Sequence, residues 1–234
     1  MNPLICPHCG DFTDRPDVDA TASEGAVVRC ARCGCRAPFR RLPLLCVTGP
    51  SGTGKSTVAR LLLERLSTGF VVLEQDLLWT GGLRDSGTEH PLFRTTWLRT
   101  AAMIHQNGRP VVLCGTVVPP ELEGLPERAL FSGIRYLALT CEPDVLAARL
   151  RARPAWREWD GPRIAEMLEY ARWVGDTAHE MDPPVELLDT TRVPVADTAD
   201  DVARWAVRAA ADGGAPVPGD GGTATGSADG PAPG

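Results

Sequence analysis

The sequence predicts an α/β protein: a three-layer α/β/α domain on a five-stranded parallel sheet, preceded by a small metal-held module. Three observations predict it. From residue 42 to residue 211, short apolar runs alternate with amphipathic stretches, the pattern of parallel strands joined by crossover helices. A glycine-rich segment at 49–57 sits where the first apolar run gives way to the first amphipathic stretch. The first 34 residues hold two Cys-x-x-Cys-Gly turns and few large apolar side chains.

Composition supports one such domain with a small appendage. The chain has 234 residues, 43% of them hydrophobic and 23% charged, which is ordinary for a globular protein and far from a disordered one. The N-terminus has no basic region followed by an apolar run, and no stretch approaches the roughly 18 apolar residues of a membrane span, so a soluble, cytoplasmic protein without a membrane partner is expected. A net charge of −6 is a poor match for a nucleic-acid backbone, so a nucleic-acid partner is not favoured and would need a local basic patch. All but one of the 24 basic residues are arginine, and the exception, Lys55, lies in the glycine-rich segment. That placement suits a site needing a compact, flexible point charge rather than a planar fork. No pattern sets an oligomeric state.

In chain order, residues 1–41 carry both cysteine pairs and many turn formers, too little to close a core without a metal. Strands are expected at 44–48, 70–74, 110–115, 134–141 and 185–189, each a short run rich in Val, Leu or Ile. Helices are expected at 55–67, 92–106, 143–153, 162–180 and 198–211, with Pro143 in the first turn of its helix and Asp197 or Thr198 capping the last. Residues 212–234 are rich in Gly, Pro and Ala and are expected to be disordered.

Gly49-Pro50-Ser51-Gly52-Thr53-Gly54-Lys55-Ser56-Thr57 satisfies the Walker A pattern, and it follows a strand and opens a helix as that pattern requires. The glycines let successive N–H groups point at phosphate oxygens, and the helix N-terminus adds partial positive charge. Lys55 is expected to reach the β and γ phosphates of ATP, Ser56 to ligate Mg²⁺, and Thr57 to face the α-phosphate or cap the helix. The bland alternative is a flexible turn.

On these residues, with Glu74-Gln75-Asp76, Val-Val-Leu-Cys-Gly at 111–115, the run 139–153 and Leu188-Asp189-Thr190-Thr191, the chain from 42 to 211 resembles the small P-loop kinases of the nucleoside, gluconate and shikimate kinase type. The resemblance implies a P-loop NTPase fold and phosphoryl transfer to a small-molecule acceptor. It implies that Asp76 binds the acceptor hydroxyl and acts as base, with Glu74 able to contact Mg²⁺ through water; an acid at a strand end can also simply start a turn. Many P-loop proteins carry Asp at the end of the third strand, where this chain has Cys114-Gly115. The run from Arg149 to Arg157 resembles the lid, with Arg149 and Arg153 one helical turn apart and able to act together on the transferring group; a solvated helix face is the alternative. Residues 188–194 resemble the loop that cups adenine. The stretch 79–97, with Trp79, Arg84, His90 and Arg94, and then Arg99, falls where such kinases seat their acceptor, although Trp79 can equally belong to the core.

Cys6-Pro7-His8-Cys9-Gly10 and Cys30-Ala31-Arg32-Cys33-Gly34 form a zinc-ribbon signal. Two turns offering two thiolates each can close a tetrahedral Zn²⁺ site through Cys6, Cys9, Cys30 and Cys33, with no position open for substrate. Cys35 lacks the spacing, and redox use of the pairs is the alternative. Arg29, Arg32, Arg36, Arg40 and Arg41 form a small basic patch able to touch RNA, DNA or the bound nucleotide, with a plain solvated surface as the favoured reading. Three functions stay open: a Mg²⁺- and ATP-dependent kinase of a nucleoside or sugar-like hydroxyl, an ATP-binding switch or ATPase whose ribbon binds protein or nucleic acid, and a polynucleotide 5′-kinase.

Overall fold

The computed structural model describes residues 2–22, 26–80 and 90–215. At the N-terminus, β1 (Asp17–Asp19), β2 (Val27–Arg29) and β3 (Arg36–Pro38) form an antiparallel sheet in that order, with Asp17 opposite Arg29 and Arg29 opposite Arg36. The chain then enters β4 (Leu44–Thr48), α1 (Lys55–Arg65) and β5 (Val71–Glu74), which runs into a 3₁₀ turn over Gln75–Leu78. Next come α2 (Pro91–His105), β6 (Val111–Cys114), α3 (Pro119–Glu123) and a 3₁₀ turn over Pro126–Leu130. β7 (Ile134–Thr140), α4 (Pro143–Arg151), α5 (Gly161–Thr177), β8 (Val185–Asp189) and α6 (Val195–Asp212) complete it.

The large sheet has the order β5-β6-β4-β7-β8, every pair parallel. β4 is central, and its two neighbours are reached by crossovers in opposite directions, so a crevice opens beyond its C-terminal end. All five residues of β4 are buried. Because successive side chains point to opposite faces, Leu44 and Cys46 enter the core beneath α2 while Leu45 and Val47 enter the core beneath α1 and α6. In the second core Val58 and Leu62 of α1 cluster with Val202, Trp205 and Ala206 of α6. Each such side chain contributes about 1.5–3 kcal/mol on burial. A third cluster, Leu146 and Leu150 of α4 with Ile164 of α5, stands apart over the C-terminal edge.

Several boundaries differ from expectation for local reasons. The last helix starts at Val195, with Pro194 at its cap position, so neither Asp197 nor Thr198 caps it; the Thr198 hydroxyl instead donates to the Pro194 carbonyl at 3.1 Å. α4 ends at Arg151 rather than 153, because Pro154 disfavours helical backbone in the residue before it. α3 was not expected; its first turn forms because a Glu121 carboxylate oxygen accepts the Val118 N–H at 2.9 Å. α6 runs through Asp212, and a Cβ on Gly213 would lie 2.6 Å from the Pro43 side chain, so the body of the protein extends past the expected start of the tail at 212. Residues 216–234 of that tail, and Arg84 within 81–89, lie outside the described residues. No described helix is long and apolar enough to cross a membrane.

Candidate active site

The 49–57 loop hangs from the buried end of β4. The Thr48 hydroxyl donates to the Val117 carbonyl at 2.6 Å and accepts the Val117 N–H at 3.0 Å, tying β4 to the segment after β6. Gly49 follows at φ 122, and a Cβ there would stand 2.3 Å from the Leu139 carbonyl oxygen. Both the torsion and the close approach exclude any side chain. Farther on, the Thr53 hydroxyl donates to the Pro50 carbonyl at 2.9 Å, and Thr190 donates to the Thr53 carbonyl at 3.2 Å. α1 begins after Gly54 with no side-chain cap, so its first-turn N–H groups face the crevice without a side-chain acceptor.

Lys55 curls back across the loop, donating to the Gly49 carbonyl at 2.5 Å and the Pro50 carbonyl at 3.0 Å. Loss of hydration pulls its pKa down to about 8, and the carboxylate of Asp76 works in the opposite direction. Met167 of α5 reaches the same loop, its sulfur 3.2 Å from the Ser51 amide.

Two cavities meet here. The larger, about 690 Å³, is lined by Ser51, Lys55, Ser56, Thr57, Glu74, Asp76, Cys114, Arg153 and Arg157, among others. The smaller, about 350 Å³, is lined by Gly52, Thr53, Thr57, Arg149, Arg153, Thr190 and Val193, among others. Lys55, Ser56, Asp76 and Arg153 therefore share one space; Arg149 lines only the smaller cavity, and Arg153 borders both. Arg149 and Arg153 meet at the smaller cavity, although α4 ends at Arg151 between them. Arg149 donates to the Thr190 carbonyl at 2.8 Å and to its hydroxyl at 3.2 Å. Arg153, beyond the end of α4, lies over the Trp159 ring at 5.7 Å.

Glu74 and Asp76 reach the larger cavity because Gln75 between them turns inward. Gln75 is 3% exposed, and a Cβ on Gly115 would sit 2.0 Å from its side-chain oxygen. Gly115 thus makes room for Gln75, which splays its neighbours toward the crevice. In register, Glu74 lies beside Cys114. Burial pushes the Cys114 thiol up to about 12, so it is neutral at ordinary pH and supplies no anionic oxygen in place of the missing Asp. Arg60, Thr116 and Arg157 line the same cavity without having been singled out individually. Arg60 was legible as the position four residues after Ser56 on one helix face; Met167 has no sequence signal.

On the far side, the Trp79 ring meets His90 at 4.8 Å and Phe93 at 5.0 Å, both edge-on. Arg94 is buried and ion-paired with Glu121, while Arg99 donates to one Glu127 oxygen at 2.9 and 2.7 Å.

The four expected cysteines converge. The sulfurs of Cys6, Cys9, Cys30 and Cys33 lie within 4.8 Å of one another, with Cys6–Cys33 at 3.6 Å and Cys9–Cys30 at 3.7 Å. A tetrahedron with Zn–S bonds of about 2.3 Å has edges of roughly 3.8 Å, so the set fits one zinc ion. The two turns are alike. Gly10 and Gly34 take φ 71 and 72, and each donates its N–H to the first cysteine's carbonyl at 2.9 Å. The backbone N–H of Cys9 is the main influence holding the Cys6 thiol down at about 6. Cys35 contributes its carbonyl, which accepts the Cys30 N–H at 2.9 Å, and is not among the four. The expected basic patch is largely neutralised: Arg29 pairs with Asp17 at 3.9 Å, Arg32 with Asp11 at 3.7 Å and Arg36 with Asp19 at 3.3 Å.

Residues 45–171, more than half of the chain, match the AAA domain family. A curated shikimate kinase of Streptomyces coelicolor is 33% identical over 136 residues, which cover 50% of this chain and 75% of that protein. Among solved structures, a gluconokinase from Sinorhizobium meliloti 1021 aligns with a TM-score of 0.51 at 20% identity, covering 74% of this chain and 97% of that one, which shows a shared fold.

Proposed function

The chain belongs to the AAA domain family and is a kinase of the P-loop type, and we propose that it moves the γ-phosphoryl group of Mg²⁺-bound ATP onto a hydroxyl of a small molecule. The observation that carries this reading is the larger cavity, which Lys55, Ser56, Glu74, Asp76 and Arg153 line together. Amides of residues 49–57 and the Lys55 ammonium grip the triphosphate; Lys55 swings from the Gly49 and Pro50 carbonyls to the β and γ oxygens. Asp76 orients the acceptor hydroxyl and takes its proton as the oxygen attacks phosphorus. Arg153 and Arg157 approach from the lid side, where their forks fit the oxygens of the transferring group. Arg149, tied to Thr190 beside the smaller cavity, seats the nucleotide's base and sugar instead.

Ser56 and Glu74 would hold Mg²⁺, which when bound neutralises charge on the β and γ oxygens. This leaves Asp76 for the acceptor and gives Glu74 the duty that Cys114 cannot perform. Cys6, Cys9, Cys30 and Cys33 would hold one Zn²⁺ in a closed, structural site. The acid-paired arginines of the module weaken a nucleic-acid role.

The 33% identity to a shikimate kinase favours a cyclic polyol as acceptor. Incubating the full chain with Mg²⁺, ATP and a panel of shikimate, gluconate, nucleosides and aminocyclitols, read by mass spectrometry, tests this. One polyol is expected to gain a phosphoryl group with one ADP formed per transfer. ADP formation at the same rate with and without every acceptor would favour an ATPase or switch.

A further inference from the structure

The cysteine module is packed against the acceptor side of the kinase body. Phe12, in the strand-like segment that pairs with Ile5, presents its ring to the Arg99 guanidinium at 5.4 Å. Arg99 lies in the middle of α2 and is held on its other side by Glu127, whose side chain is 2% exposed. A second contact clips the end of α2: the Gln106 side chain accepts the Arg40 N–H at 2.9 Å and donates to the Arg40 carbonyl at 3.1 Å. Leu4 and Val28 of the module share a core with Phe93, Trp97 and Ala101 of α2.

The other end of α2 touches the site. Its first turn places His90 and Phe93 edge-on against Trp79, and the Trp79 N–H donates to the Asp76 carbonyl at 3.0 Å. A continuous chain of contacts thus runs from Phe12 through Arg99 and α2 to Trp79 and the turn that carries Asp76. The phosphate loop is anchored on β4, Val117 and Leu139; Val117, Leu44 and Cys46 border the α2 core, while Leu45, Val47 and Leu139 belong to the core beneath α1 and α6.

We propose that Phe12 is a positioning residue: through its ring contact with Arg99 the cysteine module fixes α2, and α2 fixes the Asp76 turn, while the nucleotide-binding loop is set chiefly by the buried sheet beneath it. The module contains three-residue strands and few buried apolar side chains, so its own rigidity depends on cross-linking its cysteines. Metal at the four sulfurs is therefore coupled to the acceptor half of the site and not to the nucleotide half. This rests on the readings of Asp76 and of the cysteine cluster given above.

Hydrogen exchange read by mass spectrometry on the full chain tests the proposal, with zinc content measured on the same samples. In Phe12→Ala, segments 91–105 and 75–80 are expected to exchange about threefold faster or more, the loss of one ring–cation contact. Segment 55–65 and Mg²⁺-ATP affinity stay as in the wild type. Phe12→Tyr restores slow exchange because it keeps the ring; Phe12→Leu, which keeps apolar bulk, does not. Removing zinc reproduces the Phe12→Ala pattern. Unchanged exchange at 91–105, equal loosening at 55–65, or full restoration by Phe12→Leu overturns the proposal. Bound zinc whose removal leaves 91–105 untouched overturns the coupling. A chain that never holds zinc refutes the cysteine reading, and the Phe12 variants then decide the positioning role alone.

Discussion

The phosphate loop and the cysteine module both turn on glycines in the left-handed region, but they are held in shape by different means. Gly49 lies against the Leu139 carbonyl at the end of a strand whose five residues are all buried, so the sheet beneath dictates the loop. Gly34 closes a turn between two three-residue strands and Gly10 one flanked only by the Ile5–Phe12 bridge, and a Cβ added at either would meet nothing within 4 Å. In the first region the surrounding fold shapes the loop; in the second few packed neighbours do. Fixing each backbone residue costs about 1–2 kcal/mol, which a large core offsets and a small module without a cross-link does not.

The sharpest way to break this contrast is to remove the metal. Chelation of the full chain is expected to release one zinc and abolish exchange protection in 2–41, since structural zinc is worth on the order of 10 kcal/mol of folding free energy to such modules. Mg²⁺-ATP affinity should change by less than about threefold. Calorimetry before and after chelation checks both halves, and a parallel collapse of nucleotide binding would mean that the module also supports the loop.

A smaller effect sharpens the other side of the comparison. Lys55 carries its pKa at about 8 because the loop withdraws it from water. A triphosphate favours the ammonium form, so affinity should be flat below pH 8 and fall above it by up to about tenfold per pH unit. The sign for folding is opposite. The folded chain binds fewer protons at Lys55 than the unfolded chain between pH 8 and the ordinary value of 10.5, so its contribution to ligand-free stability rises with pH across that window. ATP affinity that is unchanged up to pH 10 would show that Lys55 does not meet the phosphates.

What was legible in the sequence follows the same division. The loop at 49–57 and the five strands could be read because their determinants are local: a fixed spacing of glycines, and apolar runs of strand length. Features fixed by distant partners could not. No helix was expected at Pro119–Glu123, yet α3 forms there, with Glu121 capping its start and pairing with Arg94. The module's arginines read as a patch until strand register set Asp17 opposite Arg29 and the Arg36 side chain reached Asp19. Arg149 and Arg153 read as one helical turn apart, but α4 ends between them ahead of Pro154, and only Arg153 borders the larger cavity as well as the smaller. The cluster of Trp79, His90 and Phe93 followed no motif, because these rings come together only where the first turn of α2 packs on the segment after β5.

The most direct test of the central claim, that Lys55 and Asp76 face each other across a phosphoryl-transfer site, is Asp76→Asn assayed for both transfer and nucleotide binding. With the acceptor found by screening, transfer should fall by about 10²- to 10⁴-fold, the usual contribution of a positioned base, while ATP affinity stays within about threefold of wild type. Transfer at the wild-type rate would contradict the account.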